Sequence, residues 1–151
     1  MTALLLKDLP QYTDIVRLRD GASLTVRFVQ PGDTEALQNY FRGLTARSRY
    51  NRLLGAASEL PQSVMSQFVR IGEGEGFSAI ATMKLDGVET IVGEVRYAFD
   101  AALSRLEFGI SITDRWQGAG IGAALMSNLE CRAAALGADR IIGDTLRSTT
   151  P

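Results

Sequence analysis

The chain has 151 residues, of which 46% are hydrophobic and 22% charged, and its formal net charge is −1 at pH 7. This length and composition predict a single domain over residues 1–151, with the first ~12 residues flexible. Charges of both signs are mixed along the sequence, which argues against nonspecific binding to nucleic acid or to a membrane surface. We therefore expect a small-molecule ligand.

Histidine is absent, and Cys131 is the single cysteine. This excludes an internal disulfide and removes the usual residues of zinc sites and of Ser-His or Cys-His catalysis. We expect no metal, a packed Cys131 side chain, and a general base that is a carboxylate or a water relay. The N-terminus has no cleavage-type signal, and no apolar run approaches the ~20 residues of a membrane helix. The sequence thus predicts a soluble, cytoplasmic protein.

The first predicted element is a β-hairpin. Apolar and polar residues alternate over residues 14–19 and 23–29, on either side of Asp20-Gly21. Both positions of this dipeptide tolerate positive φ, so it favours a tight hairpin turn.

A helix is predicted next. Pro31-Gly32-Asp33 ends the second strand, and Asp33 or Thr34 can cap a helix that runs to about Arg42. Its apolar face is formed by Leu37, Tyr40, Phe41 and Leu44.

The following segment contains Arg47, Arg49 and Arg52, which we interpret as a solvated helix face rather than as ligand contacts. A short helix is predicted after Pro61.

Three consecutive strands are predicted in the middle of the chain, over residues 77–84, 89–97 and 105–112. The turns between them lie at Asp86-Gly87 and near Asp100. Short turns join antiparallel neighbours, so these strands predict a meander rather than a parallel βαβ array.

A glycine-rich turn, Gln117-Gly-Ala-Gly-Ile-Gly122, follows the last of these strands and opens a helix over residues 121–136. Gly137 ends this helix, and a short strand follows at residues 140–142. Glycine permits unusual φ values and leaves backbone N–H groups accessible, while the helix dipole adds positive potential. The turn therefore predicts a phosphate-binding site.

Several interpretations of the turn compete. Gly118-x-Gly120-x-x-Ala123, with Asp144 beyond it, fits the loose dinucleotide fingerprint, but antiparallel hairpins precede it and no parallel βα repeats follow. A kinase-type phosphate loop is excluded because no Gly-Lys-Ser/Thr follows. A third interpretation is purely structural: the glycines would only allow the following helix to pack closely, without binding a ligand.

The residues around the turn resemble the GNAT family of N-acetyltransferases. The family pattern Gln/Arg-x-x-Gly-x-Gly/Ala is matched by Gln117, Gly120 and Gly122, after an apolar strand. Residues 24–33 and 44–50 are similar to the GNAT domains of bacterial protein lysine acetyltransferases. The resemblance implies an α+β fold with a mixed, mainly antiparallel sheet and flanking helices.

By this resemblance, the chain binds acetyl-CoA and transfers its acetyl group to an amine, either a protein lysine or a small-molecule amine. Gln117 would hold the turn, and the pyrophosphate would lie on the backbone of Gly118, Ala119, Gly120, Ile121 and Gly122. Ile110, Ser111 and Ile112 would border a V-shaped gap for the pantetheine arm. A backbone N–H near Ile110 would polarise the thioester carbonyl.

The general base has two candidates. A lysine amine, with a pKa near 10.4, is almost wholly charged at pH 7 and must lose a proton before it attacks. Glu107, where family members often carry a glutamate, is the first candidate, and Glu94 on the adjacent strand is the second. Period-two alternation alone does not show which face of the strand is buried.

In the family, a further helix and usually two strands follow the last strand predicted here. We therefore expect a C-terminally truncated domain, in which the strand at residues 140–142 offers an exposed edge for homodimerisation. A noncatalytic acyl-CoA-binding or regulatory domain is the alternative to an enzyme.

Overall fold

A computed structural model describes residues 13–44, 76–100, 102–116 and 118–143. The predicted helix after Pro61, the arginines at 47, 49 and 52, and Gln117 and Asp144 lie outside these ranges. The described strands are β1 (Asp14–Arg17), β2 (Ser23–Phe28), β3 (Gly76–Leu85), β4 (Val88–Asp100), β5 (Arg105–Ile112) and β6 (Arg140–Gly143), and the helices are α1 (Thr34–Gly43) and α2 (Ile121–Leu136).

The six described strands form one sheet in sequence order. Neighbours from β1 to β5 are antiparallel, and β6 pairs with β5 in parallel. This confirms the predicted α+β fold with a mixed, mainly antiparallel sheet. The parallel pair requires a crossover, which α2 provides.

The Asp-Gly dipeptides form turns as predicted. Gly21 has a φ of +88°, and Asp86 and Gly87 have φ values of +52° and +78°. The β4 strand is longer than the predicted residues 89–97 and contains a bulge. Thr82 pairs with Ile91 and Ala81 with Gly93, so Val92 has no partner of its own in β3.

The two faces of the sheet differ, because side chains alternate along each strand. The face that carries α2, here called the α2 face, contains the larger core, to which all strands from β2 to β5 contribute. The opposite face, here called the α1 face, contains a smaller core made of Val29, Leu37, Tyr40, Phe41, Leu44, Ile80 and Ile91.

The start of α1 differs from the prediction. Neither Asp33 nor Thr34 caps the helix with its side chain. Asp33 lies in a preceding 3₁₀ turn and accepts both guanidinium nitrogens of Arg27, at 2.8 and 3.0 Å, and the backbone N–H of Gln30 at 2.7 Å. This carboxylate therefore joins the turn to β2, while the predicted apolar face of α1 is buried as expected.

The helical period of the sequence predicts one apolar stripe on the second helix, made of Ile121, Leu125, Leu129, Ala133 and Leu136. The first four of these residues are buried, as predicted. Gly137 ends the helix with a φ of +82° and donates its N–H to Ala134. The expectation for Cys131 is wrong, because its side chain is exposed on the outer side of α2. Among the described residues, neither helix is long and apolar enough to cross a membrane.

Candidate active site

The glycine turn has the conformation that its sequence predicts. Gly118 and Gly120 have φ values of +81° and +94°, a region that L side chains seldom adopt. A Cβ on Gly118 would have no atom within 4 Å, so it is the backbone angle rather than crowding that requires glycine there. Gly122 lies in the first turn of α2 and is also open to one side.

The turn leaves backbone N–H donors pointing outward at the N-terminus of α2. The bond from the N–H of Ala124 to Gly120 O, at 3.1 Å, begins the helical ladder. The N–H groups of Ile121 and Gly122 precede that bond and point out of the end, where the helix dipole is positive. The N–H of Ala119 instead donates to Trp116 O at 3.3 Å and closes the turn. This geometry suits an anion.

The N-terminal part of α2 packs on the sheet at Gly93, a residue that the sequence did not lead us to predict as part of the site. A Cβ on Gly93 of β4 would lie 3.0 Å from Ile112 Cδ1, 3.1 Å from Leu125 Cδ1 and 3.2 Å from Ile121 Cγ2. The first turn of α2 thus packs at the closest distance that a residue without a side chain permits. An isolated glycine within a strand pattern was the available signal.

One edge of β5 extends past its described pairing with β6. The last described pair is Phe108 with Gly143, where the description of β6 ends, and β5 continues to Ile112. The N–H of Thr113 donates to Val92 O next to β4, and Ser104 O accepts from Asp139 and Arg140 beside β6. The direction of the backbone N–H and C=O groups alternates along a strand, so in β5 those of the even-numbered residues point toward β6.

The three residues predicted to border the gap therefore divide into two groups. The backbone N–H groups of Ile110 and Ile112 are on the β6 side, and that of Ile110 is beyond the last described pair with β6. Ser111 faces β4 with its backbone. Its side chain points to the α1 face, where it joins a buried polar chain.

That polar chain links three elements. The Ser111 hydroxyl donates to Glu94 Oε2 at 2.6 Å, and Tyr40 Oη lies 2.9 Å from Ser111 Oγ. Ser111 has one hydroxyl proton, which Glu94 receives, so Tyr40 is the donor of the second bond. Glu94 is 1% exposed, Tyr40 7% and Ser111 9%. These hydrogen bonds fix α1 against β4 and β5.

The two candidate bases lie in different surroundings. The Glu107 side chain is 52% exposed, and its Oε1 is 3.2 Å from Arg105 Nη2. It shares the α1 face of β5 with Ser111, about 13 Å away along the strand. The structure therefore does not bring Glu94 and Glu107 together. Glu107 is paired with Ile142 of β6, and Glu94 is buried behind Ser111.

In the described ranges, no three His, Cys, Asp or Glu side chains are grouped in a way that could hold a metal ion.

Sequence comparison finds a curated relative. No family model matches the chain. It is 29% identical over 112 residues to an acetyltransferase of Pseudomonas aeruginosa, and the aligned part covers 74% of this chain. The chain spans 60% of the length of that relative.

Solved structures share the fold. The GNAT domain of S. lividans PAT superposes with a TM-score of 0.81 at 22% identity, covering 92% of this chain and 81% of that one. The ribosomal-protein-S5-alanine acetyltransferase of Vibrio fischeri gives a TM-score of 0.64 at 18% identity, covering 83% and 72%. The comparisons therefore show that the chain has the fold of the GNAT domain, and that its sequence is similar to that of an acetyltransferase.

Proposed function

We propose that the chain binds acetyl-CoA, or a related acyl-CoA, and transfers the acyl group to an amine. The observation that carries this proposal is the continuity between two features. The edge of β5 that carries the backbone N–H groups of Ile110 and Ile112 leads to the open N-terminus of α2. A linear ligand with a phosphate at one end and an apolar arm fits such a path.

The pyrophosphate would be bound by the backbone of the glycine turn, at Gly118, Gly120, Ile121 and Gly122. The pantetheine arm would extend along β5 and form strand-like hydrogen bonds with its backbone. The thioester carbonyl would accept the N–H of Ile110, which stabilises the oxyanion that forms during attack.

Transfer would proceed by direct attack. An amine loses its proton to Glu107, directly or through water, and its nitrogen attacks the thioester carbonyl carbon. The tetrahedral intermediate collapses, the C–S bond breaks and CoA leaves as thiolate. The nitrogen then releases its second proton to give the amide, and the thiolate takes up a proton, so that the protons balance. The exposure of Glu107 supports this role because an amine or water can reach it. The acceptor we propose is a protein lysine or another amine.

Calorimetric titration with acetyl-CoA, CoA and NAD tests the binding claim. We expect saturable binding of acetyl-CoA by the parent and at least about tenfold weaker binding by Gly120→Asp, because the new carboxylate repels the pyrophosphate. Gly137→Asp is the matched control. It places the same side chain at a similar positive φ, +82° against +94°, at the other end of α2.

Equal weakening in both variants would show that backbone strain, not the anion site, controls binding. Binding of NAD without acetyl-CoA would refute the proposal. A parent that binds acetyl-CoA but acylates no amine would instead be a noncatalytic acyl-CoA-binding module.

A further inference from the structure

Ser111 separates the two residues of β5 whose backbone N–H groups face the proposed ligand. Ile110 and Ile112 direct these groups toward the β6 side of the strand, whereas Ser111 pairs with Glu94 of β4. Planar peptides hold successive Cα atoms about 3.8 Å apart, so a shift or rotation of Ser111 also moves the neighbouring Ile110 N–H. The contacts that fix Ser111 therefore also fix the direction of that N–H.

Side chains of two other elements hold Ser111 on the α1 face. Its hydroxyl donates to Glu94 Oε2 at 2.6 Å and accepts from Tyr40 Oη at 2.9 Å. The three residues are buried, so water competes little for these bonds. Hydrogen bonds that are shielded from water and connected in a chain are stronger than exposed ones. The chain thus forms a rigid support for the part of β5 that carries the Ile110 N–H.

The backbone of β4 changes its geometry next to this support. Val92 is bulged and has no partner of its own in β3, and its carbonyl accepts the N–H of Thr113 at 2.9 Å. A bulge bends its strand and increases the local twist. The bond from Ser111 to Glu94 joins β4 to β5 two residues from this bend. Side chains therefore reinforce the sheet where its backbone is irregular.

We propose that Ser111 is a positioning residue for acyl transfer: its buried hydrogen bonds to Glu94 and Tyr40 hold the Ile110 N–H in line with the thioester carbonyl. This inference rests on the proposed function, in which that N–H stabilises the oxyanion. An oxyanion donor is effective when it is held in place before the reaction begins. Ser111 supplies this order through the backbone of its neighbour.

The test is the infrared carbonyl band of bound acetyl-CoA, isotope-labelled at the thioester carbonyl carbon so that a difference spectrum isolates it. An ordered hydrogen-bond donor polarises the carbonyl, which lowers the C=O stretching frequency and narrows the band. For the parent we expect one narrow band below the frequency of free acetyl-CoA. In Ser111→Ala the band should broaden and move back toward the free value. The readout requires no amine acceptor.

Binding is measured in parallel by calorimetry. The acetyl-CoA dissociation constant of Ser111→Ala should stay within about fivefold of the parent value, because the glycine turn is intact and one neutral hydrogen bond contributes little net free energy. Each spectrum can therefore be recorded with the protein saturated.

Two milder substitutions sharpen the assignment. Tyr40→Phe removes one of the two bonds and leaves the bond to Glu94, so it should shift the band in the same direction by less. Glu94→Gln keeps an oxygen that can accept the Ser111 proton, and it should leave the band near its parent position. A larger shift in Glu94→Gln than in Ser111→Ala would overturn the positioning role, because the carboxyl group would then act by itself.

Thr82→Val is the matched control. Thr82 is 3% exposed and donates to Glu89 Oε2 at 3.2 Å. It lies on the same face of the sheet, but on β3, away from β5. Like Ser111→Ala, this substitution removes a buried hydroxyl that donates to a carboxylate. It should lower stability in urea and leave the carbonyl band unchanged.

An unshifted band in the parent, or a parent band retained in Ser111→Ala, would overturn the inference while the proposed function stood. Equal shifts in Ser111→Ala and Thr82→Val would overturn it as well, because the effect would then follow stability rather than position. A parent that does not bind acetyl-CoA would refute the proposed function, and this inference with it.

Discussion

The two faces of the sheet each bury a tyrosine, but in opposite ways. On the α2 face, Tyr97 stacks on Phe77 with ring centroids 5.3 Å apart, and among the described residues its hydroxyl has no hydrogen-bond partner. Burial raises the Tyr97 pKa, although the Arg132 charge opposes this. On the α1 face, the Tyr40 hydroxyl donates to Ser111.

This difference indicates a division of roles. The α2 face is stabilised by apolar packing, even though the buried hydroxyl of Tyr97 has no hydrogen-bond partner among the described residues. The α1 face uses directional hydrogen bonds to hold a buried carboxylate, Glu94, against Ser111. It also carries Glu107, the proposed base. Variants on the two faces should therefore separate stability from chemistry.

Glu107→Gln tests the chemical role of the α1 face and should have the largest effect. We expect kcat for acetyl transfer to fall by about 10²- to 10⁴-fold, because the amide cannot accept the amine proton, while acetyl-CoA binding is retained. Glu89→Gln is closely matched, since Glu89 is 53% exposed and also lies 3.2 Å from an arginine, Arg27.

The control should keep the parent kcat. Equal turnover in Glu107→Gln and the parent would exclude Glu107 as the base. A comparable loss in Glu94→Gln instead, with binding intact, would transfer the role to the buried carboxylate.

Gly93→Ala tests the packing role of the α2 face. The new Cβ would crowd Ile112, Leu125 and Ile121 at 3.0 to 3.2 Å. We expect the free energy of unfolding to fall by about 1–3 kcal/mol, as for other overpacked cores, and acetyl-CoA binding to weaken as α2 shifts. Urea denaturation and calorimetry measure the two effects.

Gly43→Ala, on the last residue of α1, is the control for this substitution because its Cβ would meet nothing within 4 Å. Unchanged stability in Gly93→Ala would show that the first turn of α2 is not closely packed on β4.

The two tyrosines give a direct comparison of the faces. Tyr40→Phe removes a donor to Ser111, so we expect a loss of about 1 kcal/mol in the free energy of unfolding. Tyr97→Phe removes an unsatisfied buried hydroxyl and should be neutral or stabilising by up to about 1 kcal/mol. Parallel urea denaturation curves measure both. Changes of the same sign would contradict the distinction between the two faces.

The α2 face could largely be predicted from the sequence. The period of 3.6 residues identified Ile121, Leu125 and Leu129 as buried, and the glycine spacing identified the turn at Gly118 and Gly120. These signals are local, so a single sequence contains them.

The α1 face could not be predicted in the same way. Alternation grouped Glu107 with Ser111, but it did not show which of the two is covered by α1. The bond between Ser111 and Tyr40 joins residues 71 positions apart, and it depends on strand register and helix docking. The contact of Phe108 with Gly143 likewise depends on how β6 pairs with β5.

Asp33 provides the smallest test, through pH. Burial alone would raise the pKa of this carboxyl, but the hydrogen bonds from Arg27 and Gln30 and the Arg27 charge lower it below its ordinary value. The folded state therefore binds this proton more weakly than the unfolded chain. The stability that Asp33 contributes is fully present above its unfolded pKa of about 4, and it is lost as pH falls through the folded pKa.

The stability difference between the parent and Asp33→Asn isolates this effect from the other carboxylates. It should be constant from about pH 7 to pH 5 and shrink below about pH 4. Urea denaturation at each pH measures it, with Asp20→Asn, in the exposed β1–β2 turn, as the control. A stability difference that is as large at pH 3 as at pH 7 would show that the ion pair with Arg27 does not lower the pKa of Asp33. The junction between β2 and α1 would then depend on the shape of the side chain at 33 rather than on its charge.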